Sequence, residues 1–460
     1  MFSSSGDPMA VRILIISDNP CTTPYPVFPL GAAYIVAALN NAGHEARLLD
    51  CSIPATNLAR EIGSFGPRYI GLSIRNIDDC QMVNTRFFAP EISAAIDRIR
   101  AATSAPLILG GGGFSLFPRQ LLELTGAKCG IVGEGESAIV KLIDALDSRK
   151  SCATIPGLVY RDETGIRINP PATLGHIGQP ERPAELAAWY IRESSMLNIQ
   201  TQRGCAFRCC YCSYPVIEGR SLRQRDPDEI ADEIVKIKSL GAPYFFITDS
   251  VFNTTADHVA GTCEAIIRRD LKIEFGCFLS PQGLTGELMR LLFRAGLRHI
   301  EFGADSLSDP VLQEYGKDFF FDDIRQSSDL AFDEGIRYAH FLIIGGPGET
   351  EGTINQSFEN SKHLKKTVFF PFVGMRIYPR TALYDCAIEE KIIRREQDIF
   401  TPAFYLSPAI TRQRVFSHLN EIKTKSRNWI IGEPPPQMQQ LMGNLRKKGI
   451  AGPLWEFLAA

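Results

Sequence analysis

The sequence lacks several features that would assign it at once to a broad functional class. Its 49 lysines and arginines are balanced by 52 aspartates and glutamates, so it has no basic excess of the kind that duplex-binding proteins carry. No apolar run reaches the roughly 18 residues that span a membrane, since the best candidate, 27–39, stops at Asn40. Residues 1–11 show neither the charged start nor the apolar core of a signal peptide. We therefore expect a cytoplasmic chain with no transmembrane segment and no nucleic-acid partner.

Cysteine, by contrast, is plentiful and strongly clustered. Of the 12 cysteines, Cys205, Cys209, Cys210 and Cys212 fall within eight consecutive positions, which is too tight for a disulfide framework in a reducing compartment. Three of them form a Cys-x-x-x-Cys-x-x-Cys motif directly after a strand predicted at 197–202. Three thiolates on one short loop can hold three irons of a cubane cluster and leave the fourth iron without a protein ligand.

Zinc is the alternative metal for this loop. A structural zinc site needs a fourth local ligand, and the sequence offers neither a second Cys-x-x-Cys pair nor a nearby histidine. We therefore predict an iron-sulfur cluster with Cys205, Cys209 and Cys212 as its ligands. Cys210 is the surplus thiol, and whether it packs inward or lines the site stays open.

The first third of the chain alternates short apolar runs with amphipathic segments, which is the rhythm of βαβ units. The predicted strands are 11–17, 45–50, 69–73, 106–109 and 130–132, and the predicted helices are 31–41, a segment within 88–101, and 118–124. Continuous apolar strands favour a doubly wound, Rossmann-like parallel sheet that binds ligands at the carboxyl ends of its strands. A hairpin is predicted at 155–170, around Asp162 to Gly165.

A second series of strand-helix units follows. Asp226 and Pro227 predict the start of a helix, and later strands are predicted at 244–248, 274–279, 299–303, 338–344 and 368–377. Repeats of this length favour a partial (β/α)6 TIM-type barrel with its site at the carboxyl mouth of the strands. We therefore predict an α/β protein. Its parts are a Rossmann-like domain (1–150), a hairpin and linker (151–195), a partial barrel (196–385) and a small C-terminal extension (386–460), in which the prolines 434–436 precede a packing tail.

The cysteine motif, with Tyr211 between its last two positions, resembles that of the radical S-adenosylmethionine (SAM) superfamily, and the resemblance runs from about residue 199 to 384. It implies that SAM binds the open iron, and that an electron from the [4Fe-4S] cluster cleaves it to a 5′-deoxyadenosyl radical. Family landmarks follow in order at 248–250, 302–306 and 344–350. The SAM-binding residues that the resemblance implies are Tyr211, Asp249, Asp305, Ser306, Gly345, Gly346 and Arg376.

Some of these residues have plainer interpretations. Gly345 and Gly346 are also typical of an ordinary strand-to-helix turn. Arg376 could equally be a salt-bridged barrel residue rather than a group that binds the carboxylate of SAM or of a substrate. Asp305 departs from the family pattern, which commonly has glutamate there, so its side chain reaches one methylene less far toward a ribose.

The N-terminal sheet resembles the cobalamin-binding domain that precedes the barrel in one large subgroup of this superfamily. The resemblance rests on the segments 29–31, 110–113 and 133–136, whose glycines suit a flat corrin because side chains there would hold the ligand away from the backbone. A nucleotide or flavin domain is the alternative. The cobalamin-binding residues that the resemblance implies are Ser73, Arg75, Asn76, Gly110, Gly111, Gly112, Gly133, Glu134, Gly135 and Glu136.

The Asp-x-His-x-x-Gly motif that supplies a cobalt ligand in other cobalamin proteins is absent, and none of the 7 histidines lies in that setting. The lower face of the cobalt is then empty, hydrated or covered by another side chain, for which Arg75 is the candidate. A guanidinium is a poor ligand and favours low-coordinate cobalt. The alternative is that Arg75 pairs with Asp78 or Asp79 on the surface.

Together the two resemblances imply a cobalamin-dependent C-methyltransferase that acts at an unactivated carbon. One SAM methylates cob(I)alamin, and another supplies the radical that abstracts a substrate hydrogen. The alternatives are radical cyclisation or carbon-carbon coupling without methyl transfer, and a cobalamin and iron-sulfur sensor. Small molecules, lipids and peptides are all open as substrates, and flavodoxin or ferredoxin is the expected electron donor. No catalytic base can be named; the available polar groups are Tyr214, Glu218, Tyr378 and Tyr405.

Overall fold

The N-terminal unit is a doubly wound sheet in a computed structural model of the chain, which describes residues 10–54, 56–432 and 436–459. The strands of this sheet are β1 (Arg12–Ser17), β2 (Glu45–Asp50), β3 (Tyr69–Ser73), β4 (Leu107–Gly110), β5 (Cys129–Ile131), β6 (Leu158–Asp162) and β7 (Gly165–Ile168). Its helices are α1 (Leu30–Asn41), α2 (Leu58–Phe65), α3 (Ala89–Ala102), α4 (Gly112–Leu116), α5 (Pro118–Thr125) and α6 (Glu136–Asp147). The strand order is β2-β1-β3-β4-β5-β6-β7, and β1 to β5 run parallel. The predicted Rossmann-like sheet is confirmed.

The predicted hairpin is present, and it belongs to this sheet. β6 pairs antiparallel with β5, and β7 pairs antiparallel with β6. Leu158 and Val159 are fully buried, whereas the turn around Asp162 lies at the surface. The segment that we expected to act as a linker therefore begins by extending the N-terminal sheet at its edge.

The second unit is the predicted partial barrel. Its six parallel strands are β8 (Leu197–Ile199), β11 (Tyr244–Ile247), β12 (Glu274–Leu279), β13 (Leu297–Asp305), β14 (Arg337–Ile344) and β15 (Val368–Val373), in the order β15-β14-β13-β12-β11-β8. Two short strands, β9 (Gln202–Arg203) and β10 (Arg223–Gln224), pair beside the mouth. The helices are α7 (Ala184–Ser194), α8 (Tyr214–Ile217), α9 (Pro227–Ser239), α10 (Ala256–Arg268), α11 (Gly286–Ala295), α12 (Asp309–Glu314), α13 (Phe321–Asp333), α14 (Glu351–Ser361) and α15 (Ala382–Glu389).

Local signals explain where several elements begin and end. Asp226 caps α9 as predicted, because its carboxylate accepts hydrogen bonds from the N–H groups of Asp228 and Glu229. The single strand predicted at 368–377 is wrong. Gly374 has a φ of +71° and breaks it, so that β16 (Met375–Arg376) turns away to pair with β17 (Phe404–Tyr405).

The C-terminal part packs against the barrel. It contains α16 (Arg412–Lys425), α17 (Pro436–Lys447) and a final 3-10 turn (Trp455–Ala459). Trp429 is fully buried beside β15, and the indole N–H of Trp455 donates to the buried carboxylate of Glu301 at 3.1 Å. Pro434 and Pro435 of the predicted proline boundary, and most of residues 1–11, lie outside the described residues. Among the described helices, none has the length and apolar character needed to cross a bilayer.

One apolar core joins the two units. The largest core cluster contains residues of β8, β11, β12 and β13 together with Phe28 and Tyr34 from the N-terminal unit. Asn198 on β8 donates to the carbonyl of Phe28 at 3.1 Å, and Tyr190 on α7 donates to Asp50 at the end of β2 at 2.6 Å. The carboxyl ends of both sheets are therefore held close together.

The barrel core contains a histidine that remains neutral. His340 on β14 is fully buried and stacks between Phe302 and Phe369, and its Nδ1 has no hydrogen-bond partner among the described residues. Burial lowers its pKa to about 3. In the unfolded chain a histidine takes up a proton near pH 6.5. The stability that this neutral ring contributes is therefore present above that pH and is lost as the pH falls below it.

We predict that His340→Phe makes the stability less sensitive to acid. When the pH falls from 7 to 5.5, the free energy of unfolding of the wild type should decrease by about 1 kcal/mol more than that of the variant. Urea denaturation at both pH values measures this difference. His363→Phe, at an exposed position, is the control and should retain the wild-type pH dependence. An equal loss of stability in wild type and His340→Phe would contradict this assignment.

Candidate functional site

The cysteine loop leaves the barrel from a position that requires glycine. Gly204 follows β9 with a φ of +85°, and a Cβ there would overlap the carbonyl oxygen of Ser221. The residues just before it are anchored by Asp249 at the end of β11. Its carboxylate accepts hydrogen bonds from the backbone N–H of Thr201 at 2.7 Å and from the Thr201 hydroxyl at 2.5 Å. Both contacts fix the direction in which the loop starts.

Three of the four clustered cysteines line one cavity of about 430 Å³ at the carboxyl mouth of the barrel, which we call the thiol cavity. They are Cys205, Cys209 and Cys212. Cys210 packs inward against an apolar core cluster, and its backbone N–H donates to the carbonyl of Tyr315 at 3.0 Å. No three Cys, His, Asp or Glu side chains of the described part converge closely enough for a single metal ion. A cubane takes each thiolate on a different iron, so its three ligands need not converge on one point.

The three thiols lie in a desolvated setting. Burial raises the pKa of Cys205 and Cys209, and it raises the pKa of Cys212 to about 12. Bound metal must displace these protons. The ammonium of Lys317 lies 3.3 Å from Sγ of Cys209 and provides a positive charge for its thiolate. Lys317 escaped the sequence analysis because it lies beyond α12, well after the strand end that carries the family landmark.

Several polar groups of the thiol cavity suit a bound SAM. Tyr211 and Asp305 both line it; the Tyr211 hydroxyl donates to Asp305, which also pairs with Lys317. Ser250 lines it as well, and its hydroxyl oxygen is buried with no hydrogen-bond partner among the described residues. A Cβ at Gly303 would meet nothing within 4 Å. An unpartnered hydroxyl and an open glycine surface fit a polar ligand with a flat base.

Two predicted SAM ligands face elsewhere. Asp249 is 1% exposed, and its carboxylate is occupied by the loop residues Thr201 and Gln202. Burial raises its pKa to about 7. The hydroxyl of Ser306 accepts from the backbone N–H of Ser308 at 3.1 Å and so stabilises the turn before α12. Neither residue lines the thiol cavity, whereas the neighbouring Ser250 does.

Gly345 and Gly346 also stand outside the thiol cavity. A Cβ at Gly345 would overlap the side chain of Leu406, and one at Gly346 would overlap Met375 and Tyr315. These glycines therefore permit close packing of protein on protein, which is the plainer of the two interpretations given above.

Arg376 lines the thiol cavity, but its contacts are those of the second interpretation given for it, a salt-bridged residue. Its Nε donates to Asp78 of the N-terminal unit at 2.8 Å, and both side chains are buried. Its two terminal nitrogens donate to four carbonyls, those of Ile377, Ala403, Ile399 and Phe400. All five N–H groups are therefore engaged, and Arg376 is a buried ion-pair residue that joins the two units.

The carboxyl ends of the N-terminal strands form a second cavity of about 310 Å³, which we call the sheet cavity. Nine of the ten predicted cobalamin-binding residues line it: Ser73, Arg75, Gly110, Gly111, Gly112, Gly133, Glu134, Gly135 and Glu136. Asn76 does not. A Cβ at Gly31 would meet nothing within 4 Å, and one at Gly110 nothing nearer than 3.9 Å. These glycines leave room along the edge of the sheet for a broad, flat ligand such as a corrin.

The charged groups of the sheet cavity differ in how they are used. Glu134 pairs with Arg223, and Glu136 pairs with Arg203 at 2.7 Å, so these carboxylates connect the two units. Arg75 is exposed to the cavity and forms no ion pair with Asp78, which is held by Arg376. The surface pairing considered for Arg75 is therefore wrong for Asp78, and the guanidinium is available to a ligand.

Tyr214 lines both cavities. It begins α8, two residues after Cys212, and its side chain is 45% exposed. Of the other polar groups named from the sequence, Glu218 lines the sheet cavity and Tyr378 lines the thiol cavity, where its hydroxyl lies 3.1 Å from Sγ of Cys80. Tyr405 lies outside both and donates to Glu390 at 2.6 Å. The two cavities are thus neighbours with one shared side chain.

Comparison with known proteins matches both units. The Radical SAM superfamily matches residues 199–360, and the B12 binding domain matches residues 21–143. The first range contains the cysteine loop, and the second contains the glycine-rich ends of the N-terminal strands.

The chain is also similar to curated enzymes and to a solved structure. The chain is 25% identical over 446 residues to the tryptophan 2-C-methyltransferase of Streptomyces laurentii, covering 81% of this chain and 74% of that protein. It is 26% identical over 332 residues to the hopanoid C-3 methylase of Methylococcus capsulatus, covering 68% of this chain and 60% of that protein. It shares the fold of the radical SAM methyltransferase TsrM from Kitasatospora setae, with a TM-score of 0.85, 22% identity and coverage of 98% and 97%. The chain therefore belongs to the cobalamin-binding subgroup of the radical SAM superfamily and is an enzyme whose cofactors are a [4Fe-4S] cluster, SAM and cobalamin.

Proposed function

We propose that this enzyme transfers a methyl group from SAM, by way of cobalamin, to an unactivated carbon atom of a small molecule. The observation that carries the proposal is the shared wall at Tyr214. It places the edge of the cobalamin-binding sheet directly beside the cavity that holds the three thiols. The names of both curated relatives, a 2-C-methyltransferase and a C-3 methylase, support methyl transfer to carbon.

The residues divide into two groups by the ligand that they would hold. Cys205, Cys209 and Cys212 would bind the cluster. Ser250 and Asp305 would contact SAM at its polar groups, because one offers an unpartnered hydroxyl and the other a carboxylate at the cavity surface. When bound, the cluster and SAM supply a 5′-deoxyadenosyl radical, and cobalamin supplies the methyl group.

The cellular setting follows from the thiols. All 12 cysteines lie in the described part of the chain and none of them forms a disulfide bond there, which is typical of a reducing compartment. We therefore propose the cytoplasm as its location and a flavodoxin or ferredoxin as the donor of the electron that the cluster needs. The near-neutral net charge of −3 supports a small-molecule substrate over nucleic acid.

The reaction class can be tested without a known substrate. Anaerobic holoenzyme with SAM and a one-electron reductant should form S-adenosylhomocysteine, the product of methyl transfer, as well as 5′-deoxyadenosine. Both are quantified by liquid chromatography and mass spectrometry. Protein without cobalamin should form no S-adenosylhomocysteine. Formation of 5′-deoxyadenosine alone would support cyclisation or coupling, and formation of neither would support a sensor; each contradicts methyl transfer.

Variants of Tyr214 probe the shared wall in the same assay. The Tyr214 hydroxyl makes no hydrogen bond to a described residue, so Tyr214→Phe should keep the wall and stay within about twofold of wild type in S-adenosylhomocysteine formation. Tyr214→Ala removes the ring and should lower the rate of S-adenosylhomocysteine formation by about tenfold or more, because correct placement of reacting groups contributes large rate factors. Equal rates for Ala and Phe would show that the ring is not needed.

The cluster ligands can be separated from the surplus thiol. Each of Cys205→Ala, Cys209→Ala and Cys212→Ala should lose most of the iron and the broad visible absorption of the cluster after anaerobic reconstitution. Cys210→Ala is the matched control and should retain both, because Cys210 packs away from the cavity. Loss of the cluster only in Cys210→Ala, or its retention in all four variants, would contradict the assignment.

The position of Arg75 can be tested by giving the cobalt a ligand. Arg75→His places an imidazole on the loop after β3, and a coordinating nitrogen should add its hyperfine splitting to the electron paramagnetic resonance spectrum of bound cob(II)alamin. The wild type should show no such splitting. Arg86→His, an exposed site on the same connection between β3 and α3, should also show none. An unchanged spectrum in Arg75→His would place the cobalt elsewhere.

A further inference from the structure

Part of the wall of the thiol cavity is built from aromatic and aliphatic side chains. Phe278 on β12, Phe341 and Ile343 on β14, and Phe372 on β15 line it. The rings of Phe341 and Phe372 are nearly parallel, with 14° between their planes and 6.2 Å between their centroids. Phe341 also stacks on Phe370 of the neighbouring strand. The neighbouring strands β14 and β15 therefore present an apolar surface, and Phe278 lies on the far side of β13, which contributes Gly303 and Asp305 to the same cavity.

The charged groups of this cavity are already satisfied. Among the described residues, those that line it with a formal charge are Asp305, Lys317, Asp318 and Arg376. Lys317 pairs with Asp305, and Arg376 uses all its donors within the protein. Asp318 is exposed and therefore lies where solvent screens it. No buried charge of the described wall is left to neutralise a charged substrate.

Beyond the three cluster thiols, the uncharged polar side chains that line this cavity are Cys80, Tyr211, Ser213, Tyr214, Ser250, Ser280 and Tyr378, and Tyr211 and Ser280 already form hydrogen bonds within the protein. The hydroxyl of Tyr378 and the thiol of Cys80 contact each other at 3.1 Å. Ser250 lies beside the cysteine loop, where SAM is proposed to bind. The sheet cavity provides the contrast, because five charged residues line it: Arg75, Glu134, Glu136, Arg203 and Glu218.

From this arrangement we infer that the portion of the substrate that enters the thiol cavity is uncharged and apolar, with a planar ring favoured by the aromatic wall. The inference rests on the proposed function, since it names the substrate class for the same site. The ammonium and carboxylate of SAM itself would bind at the open iron, whereas an ionised group of the substrate beside these rings would lose its hydration without gaining a partner. A flat hydrocarbon ring would instead gain dispersion and stacking contacts with Phe278, Phe341 and Phe372.

A matched series of ring compounds tests the charge preference. Anaerobic holoenzyme with SAM is titrated with 2-naphthol, 2-naphthoate and protonated 2-naphthylmethylamine in equilibrium dialysis. These probes share one ring system and differ in charge. We expect 2-naphthol to bind at least tenfold more tightly than either ion. Equal or tighter binding of either ion would overturn the inference, and this comparison needs only the wild-type protein.

Variants then locate the binding. Phe341→Leu and Phe372→Leu keep an apolar side chain but remove the rings. Each variant should bind 2-naphthol at least threefold more weakly than the wild type. Phe320→Leu, at a ring that is 45% exposed and does not line the cavity, should not change binding. Unchanged binding in both cavity variants would overturn the assignment to this wall. The visible absorption of the cluster confirms that each variant is folded and loaded.

The two proposals can fail separately. If S-adenosylhomocysteine is absent but 2-naphthol keeps its preference and its dependence on Phe341, methyl transfer is wrong and the apolar character of the cavity stands. If S-adenosylhomocysteine forms while an ion binds best, the substrate class is wrong and methyl transfer stands.

Discussion

A buried ion pair between Asp78 and Arg376 holds the two halves of this enzyme in register. The two residues are 298 positions apart, and each side chain is at most 3% exposed. Losing one partner of such a pair leaves an unpaired buried charge, which typically costs about 3–5 kcal/mol. The pair therefore acts as a constraint on geometry: the segment between β3 and α3 cannot move without separating the two charges.

That segment contributes to both cavities. Arg75 lines the sheet cavity, and five residues later Cys80 lines the thiol cavity beside Tyr378. Asp78 lies between them and is fixed by Arg376, which follows the break at Gly374. A single short segment of the N-terminal unit thus positions a charged group on one side and an apolar cavity wall on the other. Its anchoring explains how the two sheets can hold their cavities side by side.

Local patterns were enough to predict much of this architecture. The parallel strands are buried apolar runs with helices between them, and this pattern is visible in the sequence. The cysteine spacing was visible too, and Cys205, Cys209 and Cys212 do line one cavity, while the placement of Cys210 required the fold. The glycine loops predicted at the edge of the N-terminal sheet also line their cavity.

The side chains whose contacts differ from those expected have partners that are distant in the sequence. Arg376 is paired by Asp78 from the other unit, and Gly345 is packed against Leu406, so neither contact leaves a local signal. Lys317 reaches Cys209 only because the chain returns to the barrel mouth after α12. Asp249 and Ser250 differ for another reason. Adjacent residues at a strand end point to opposite sides, so a landmark identifies the position in the chain but not which of two neighbours faces the ligand.

The position of Tyr214 shows why the two cavities cannot vary independently. It lies two residues after Cys212, and α8 directs it toward the sheet cavity while the preceding loop lines the thiol cavity. The chain that would hold the cluster therefore also separates the two sites. Glu218, at the end of α8, accepts a hydrogen bond from the N–H of Gly204 at 3.2 Å and so closes this loop on itself. Because one closed loop supplies the thiols and the shared wall, any change that shifts the cluster also shifts the passage between the cavities, which makes the loop the element that couples the two halves of the chemistry.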